Sequence, residues 1–141
     1  MSNNILYRIM IELVKFIILG AILLTLDAIY LGLNNRFLLW QLQAVQKSPV
    51  VFRYAGAILC YPLILAGLYY FVLRFNGRNM YDKVLDAMIL GFVIYGVYET
   101  TCYATFRDWT VKMLVMDTLW GSILLGSTTY IYLSLMEYLN K

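Results

Sequence analysis

The sequence predicts an all-α integral membrane protein, a bundle of four transmembrane helices, and three observations carry that prediction. Hydrophobic residues make up 62% of the 141 positions and charged residues only 13%, about half the share near 25% that soluble domains use. Mean hydropathy is +0.73. Four stretches reach the roughly 20 apolar residues that a bilayer crossing needs. Only helices and closed barrels satisfy their backbone in lipid, and these runs are too long and continuous for barrel strands. One domain accounts for the whole chain. So little charge excludes a soluble globular enzyme and a disordered tail. The net charge of +3 includes no basic cluster that would grip a polyanion, so no nucleic-acid partner is expected.

The first span is expected over about 9–33. It is too long for a signal-peptide core and lacks a clear small-residue cleavage site, so it is read as retained. Residues 36–47, RFLLWQLQAVQK, are too apolar for a free loop and too short to span. Phe37, Leu38, Trp40, Leu42 and Val45 alternate there with glutamines and basic ends, which predicts an amphipathic helix lying in the interface. The second span covers about 49–73, opened by Ser48 as N-cap and Pro49 at the first helical position. Pro62 near its middle predicts a kink. Asn76-Gly77 marks the next turn. The third span covers about 84–106 and the fourth about 113–136. The very short link at Arg107-Asp108-Trp109 makes these two an antiparallel hairpin. Ala87 and Gly91 on span three, with Ser122 and Gly126 on span four, stand at helical spacing and predict close packing.

Four crossings put both termini on one membrane face, here side A; the opposite face is side B. Arg8, Lys15, Arg74, Arg78, Lys83 and Lys141 belong to side A, and Arg36, Lys47, Arg53, Arg107 and Lys112 to side B. That balance gives almost no bias under the positive-inside rule, and the termini are placed in the cytoplasm on its slim margin.

The chain contains no histidine, which removes the commonest general base, zinc ligand and axial haem ligand. Its two cysteines, Cys60 and Cys102, fall in apolar segments without ligand spacing and are expected as small buried hydrophobes. No Gly-rich phosphate loop, GxSxG or HExxH occurs. No metal and no cofactor are expected, and no catalytic motif is present.

The informative residues are acids inside the spans: Asp27, Glu99 and Asp117. Counted along each crossing, they lie about 9, 12 and 7.5 Å below side B at 1.5 Å per residue. All three occupy one leaflet. A charge there costs about 2.5–3.5 kcal/mol at the helix centre and less toward the interface, so each acid should turn inward and find a partner. Arg53, read as one turn into span two, is the expected cation, with Arg36, Arg107 and Lys112 on the rim. Tyr30, Tyr95, Tyr98, Thr100, Thr101 and Trp120 are neutral donors. Tyr95 and Cys102 share the helix face of Glu99, and Trp120 and Gly121 that of Asp117. Trp40 and Trp109 are read as belt anchors at side B, and tyrosines 7, 69, 70, 81, 130, 132 and 138 as the belt at side A. Glu12 and Lys15 are spaced for an ordinary i,i+3 pair.

These residues also carry a resemblance. Asp27-Ala-Ile-Tyr30-Leu-Gly32 is similar to the D-x-x-W-L-G signature of a small membrane-protein family catalogued as domain of unknown function 2177. Tyr98-Glu-Thr-Thr-Cys-Tyr-Ala-Thr-Phe-Arg-Asp-Trp109 resembles its Y-D-x-T-N-x-A-T-x-x-x-W, and Asp117-Thr-Leu-Trp120-Gly121 its D-x-x-W-G. The motifs occur in order over nearly the whole chain. Tyr30 stands for tryptophan, Glu99 for aspartate and Cys102 for asparagine. The resemblance implies a four-helix membrane protein whose motif positions are Asp27, Tyr30, Tyr98, Glu99, Thr101, Trp109, Asp117, Trp120 and Gly121. It implies no particular reaction. It implies a bacterial-type inner membrane, with a viral or organellar membrane as the alternative.

Two functional readings are open on this sequence. The first is a structural or assembly role, as a homo-oligomer or a subunit of a larger membrane complex in the lipid bilayer. The second is a small transporter or lipid-linked enzyme in which the carboxylates handle protons or a hard cation such as Mg²⁺. The candidate polar site comprises Asp27, Tyr30, Arg53, Tyr98, Glu99, Thr101, Asp117 and Trp120.

Overall fold

The computed structural model describes residues 2–139, with side chains from residue 5 onward; Lys141 lies outside the described residues. Four helices long and apolar enough to cross a membrane succeed one another along the chain. They are α1 (Ser2–Gln46), α2 (Tyr54–Leu68) continued by a π-helical turn (Tyr69–Leu73), α3 (Met80–Thr105) and α4 (Val111–Leu139). The four-helix membrane bundle predicted from composition is the fold.

Two boundaries around the first connection differ from the sequence reading, and one geometric cause links them. No separate interfacial helix lies between the first and second spans; residues 36–46 continue α1 without a break. Its 45 residues extend about 67 Å at 1.5 Å per residue, well beyond the roughly 40–45 Å of a whole bilayer. Asn34 does not interrupt the helix, because its side-chain amide donates back to the Tyr30 carbonyl at 3.0 Å. The amphipathic pattern of the extension is real, but only part of its apolar set meets protein, while Trp40 and Leu42 stay exposed. Phe37, Leu38 and Val45 pack on Cys102, Trp109 and Met113 at the end of the α3–α4 hairpin.

Ser48-Pro49 belongs to the end of α1 and does not open α2. Lys47 takes a left-handed φ of 56° and its N–H bonds the Gln43 carbonyl at 2.8 Å, a helix stop after which proline is common. The position where Gly20 faces the Leu65 side chain sets α1 level with α2. From there the end of α1 stands about 39 Å toward side B and the start of α2 about 17 Å, so the link must return about 22 Å. The seven residues 47–53 reach about 23–25 Å when fully extended. A helix starting at Pro49 could not cover that distance, and α2 starts at Tyr54.

The other turns obey local chemistry. Gly77 adopts φ 92° in the α2–α3 turn, a conformation that favours glycine. Asn79 then caps α3 by accepting the Asp82 N–H at 2.8 Å. The hairpin crossing rests on absent side chains. A Cβ built on Gly91 would lie 2.1 Å from the Gly121 carbonyl oxygen and 3.1 Å from the Ser122 nitrogen, while Gly121 lies beneath the Tyr95 ring and Gly126 beneath Met88. Ala87 is buried in the same contact. Leu19 and Leu23 of α1, Ile64, Leu65 and Leu68 of α2 and Leu124 and Leu125 of α4 form the main core. Ile17, Leu63, Phe92 and Leu119 face outward, as lipid-contacting residues do. Cys102 is buried, whereas Cys60 is exposed on α2, contrary to the expectation that both are buried. Lipid is as apolar as leucine, so close backbone approach and interhelical hydrogen bonds hold such a bundle together.

Candidate functional site

Near side B the helices present their acids to aromatic donors. Asp27, from the middle of α1, is 6% exposed. Its carboxylate accepts from the Trp120 indole N–H of α4 at 2.9 Å and from the Tyr61 hydroxyl of α2 at 2.6 Å. One turn further along α1, the Tyr30 hydroxyl donates to Asp117 of α4 at 3.0 Å. The Tyr30 and Trp120 rings stack between these two bonds, with centroids 4.3 Å apart and planes within 5°. Glu99 of α3 is fully buried. Its Oε2 accepts from the Trp109 indole at 2.7 Å, its Oε1 has no hydrogen-bond partner, and its carboxyl group approaches that of Asp117 closely enough to interact.

The three acids therefore share one polar chain without meeting at one point. Asp27 reaches Asp117 through the Tyr30–Trp120 stack, and Asp117 neighbours Glu99. Among the described residues no three His, Cys, Asp or Glu side chains are gathered so that they could hold a metal ion. A hard cation would have only the Glu99–Asp117 pair, so further ligands would be needed to complete its six or more oxygens.

Not every residue of the candidate set joins this chain. Arg53 is exposed and forms the N-cap of α2. The expected pairing fails because α2 begins after Arg53, which leaves the guanidinium on the extended link instead of one turn inside a helix. Among the described residues no Lys or Arg nitrogen lies within 4.0 Å of Asp27, Glu99 or Asp117; the ion pairs join Lys15 to Glu12, Lys47 to Asp108 and Arg78 to Asp86. The rim cation Lys112 sits over the Phe37 ring instead. Thr101 bonds back to the Val97 carbonyl at 2.7 Å. Tyr98 is 58% exposed and lies against Trp109 with the two rings nearly perpendicular.

Two participants escaped the candidate set. Tyr61 stands in a span without acids, and only its level opposite Asp27 would have revealed it. Trp109, read as a belt anchor, is 5% exposed and is the donor to Glu99. The family motif named Trp109, but composition alone could not separate a belt tryptophan from a buried donor.

A second polar contact was not anticipated. Gln41, on the part of α1 beyond Asn35, is fully buried against the hairpin end. Its amide donates to the Asp108 carbonyl at 2.9 Å and accepts from the Thr110 hydroxyl at 2.6 Å. The exposed Lys47–Asp108 pair at 2.7 Å closes the same contact from outside. The Lys47 ammonium bonded to Asp108 holds its carboxyl below the usual carboxylate range. A depressed folded-state value means that this contribution is present above the unfolded pKa and lost as pH falls through the folded one. The pair should therefore survive to below about pH 4. Gln41→Leu should cost about 1 kcal/mol, because it removes two bonds of a fully buried amide and leaves the part-buried Asp108 carbonyl and Thr110 hydroxyl without that partner. Asp108→Asn should leave stability nearly unchanged. Hydrogen exchange of residues 106–111 in detergent checks both, with faster exchange expected only for Gln41→Leu.

The family model described as a predicted membrane protein, domain of unknown function 2177, matches residues 12–133, a stretch that includes Asp27, Glu99, Asp117 and their aromatic donors. No curated protein and no solved structure matches the chain.

Proposed function

The chain belongs to the DUF2177 family of predicted membrane proteins, and from that premise we propose that this integral membrane protein is a structural or assembly component of a membrane or membrane complex. One observation carries the reading. Asp27, Asp117 and Glu99 each accept hydrogen bonds from neutral aromatic donors, and for Asp27 and Asp117 those donors come from other helices. Such bonds fix helix positions in a solvent that gives little other help. The outward apolar faces are open to lipid or to further membrane helices. The protein then works as a homo-oligomer or as a subunit beside larger partners. A bacterial-type inner membrane is the setting that the family resemblance favours. Native mass spectrometry from mild detergent tests the role. A stoichiometric oligomer or complex is expected, and a purely monomeric species with no associated protein would count against it.

A second reading has one observation in its favour: the buried Glu99 Oε1 receives no N–H or hydroxyl donor and its carboxyl group faces that of Asp117. Two adjacent carboxyls can take up a proton or a cation between them. A transporter or lipid-linked enzyme of this kind should lose a pH-dependent flux or lipid conversion in Asp117→Asn. Activity unchanged by that substitution would remove Asp117 from the mechanism.

A further inference from the structure

We propose that the cleft at side A between α1, the π-helical turn and α4 binds the phosphate of a membrane-lipid headgroup. This cleft lies in the leaflet opposite the acids and shares no residue with them. It is a cavity of about 400 Å³ lined by Glu12, Lys15, Tyr69, Arg74, Asn76 and Tyr132 over an apolar floor that includes Leu19 and Leu73. Arg74 stands where the apolar run of the second span ends, so the cleft opens at headgroup depth.

Its charges suit a phosphodiester. Lys15 and Arg74 against Glu12 leave one net positive charge. Lys15 is steadied by Glu12 at 2.8 Å, a bond that uses one of the three ammonium donors. The Arg74 guanidinium has no carboxylate within 4.0 Å among the described residues. It lies over the Tyr70 ring at 3.7 Å and near the Phe75 ring at 4.8 Å. Stacking of this kind holds the planar fork ready while leaving N–H groups for an anion. The π turn, closed by the Arg74 N–H on the Tyr69 carbonyl at 3.0 Å, inserts a residue and rotates the next stretch of chain by about 100°. Tyr69 and Arg74, at its two ends, both line the cleft.

The cleft also favours a lipid over a soluble phosphate. Its floor at Phe16 and Leu19 lies up to one turn, about 6 Å, deeper along α1 than Lys15, so a phosphate held by Lys15 and Arg74 has apolar surface on its midplane side for the chains of a lipid.

The test uses the full chain, delipidated in detergent and reloaded with phosphatidylglycerol, with retained lipid read by native mass spectrometry. Arg74→Gln and Lys15→Gln should each retain at least about fivefold less lipid than the wild type, equivalent to about 1 kcal/mol. Arg78→Gln, whose parent side chain pairs with Asp86, should retain it fully. In the unmutated protein, phosphatidylglycerol should slow acylation of Lys15 by an amine reagent by a similar factor, a readout free of folding effects. Retention unaffected by Arg74→Gln, or a Lys15 labelling rate indifferent to lipid, would overturn the proposal. So would inorganic phosphate protecting Lys15 as well as the lipid does, since the ligand would then be a soluble anion.

Discussion

Gly91→Leu should separate α3 from α4 and lower stability in mild detergent by about 3 kcal/mol or more. The obstacle is backbone. Any Cβ at this position meets the Gly121 carbonyl oxygen at 2.1 Å and its carbon at 2.7 Å, and neither can rotate away. Gly126→Ala is the instructive comparison, because its Cβ would meet the flexible Met88 side chain at 2.4 Å, which can move. Alanine at 126 should therefore cost less than alanine at 91. The hairpin carries the donors and acceptors of the polar site, so its opening should also strand Glu99. Thermal unfolding of the two alanine variants and of Gly91→Leu checks the order. Equal losses at 91 and 126 would show that the crossing tolerates the backbone displacement.

Asp27→Ala should cost about 3 kcal/mol, because it leaves two intramembrane donors, the Tyr61 hydroxyl and the Trp120 indole, without an acceptor. Asp27→Asn should keep most of that stability. Its amide oxygen can still accept from Trp120, which only donates, while the Tyr61 hydroxyl can reverse and accept from the amide N–H. A site that worked by charge would show the opposite pattern, with asparagine nearly as damaging as alanine. Thermal unfolding of both variants, alongside Glu99→Gln at the Trp109 bond, separates the two patterns.

Much of this arrangement was legible because depth can be counted along a helix. Asp27, Glu99 and Asp117 could be placed at one level of the bundle from sequence positions alone, and Tyr30 and Trp120 beside them from helical spacing. Azimuth and connection geometry could not be counted. The expectation for Arg53 depended on a helix starting at Pro49, and the start moved when the link had to descend beside the long end of α1. The apolar stripe at Phe37, Leu38 and Val45 was equally visible, but its period cannot distinguish a lipid interface from the end of a hairpin. Gln41, at the centre of that contact, read as part of the polar face. Thr101 and Tyr98 lie on the correct helix and on its outer side, a difference of one or two residues in a 3.6-residue turn.

In the proposed structural role, Asp27, Glu99 and Asp117 hold the helices together by accepting hydrogen bonds from neutral aromatic groups. A double-mutant cycle between Asp27→Ala and Trp120→Phe measures that directly. The expected result is a coupling of roughly 1 kcal/mol or more between the two positions, above the average of about 0.6 kcal/mol for interhelical bonds in membranes. Additive losses, with no coupling, would contradict it.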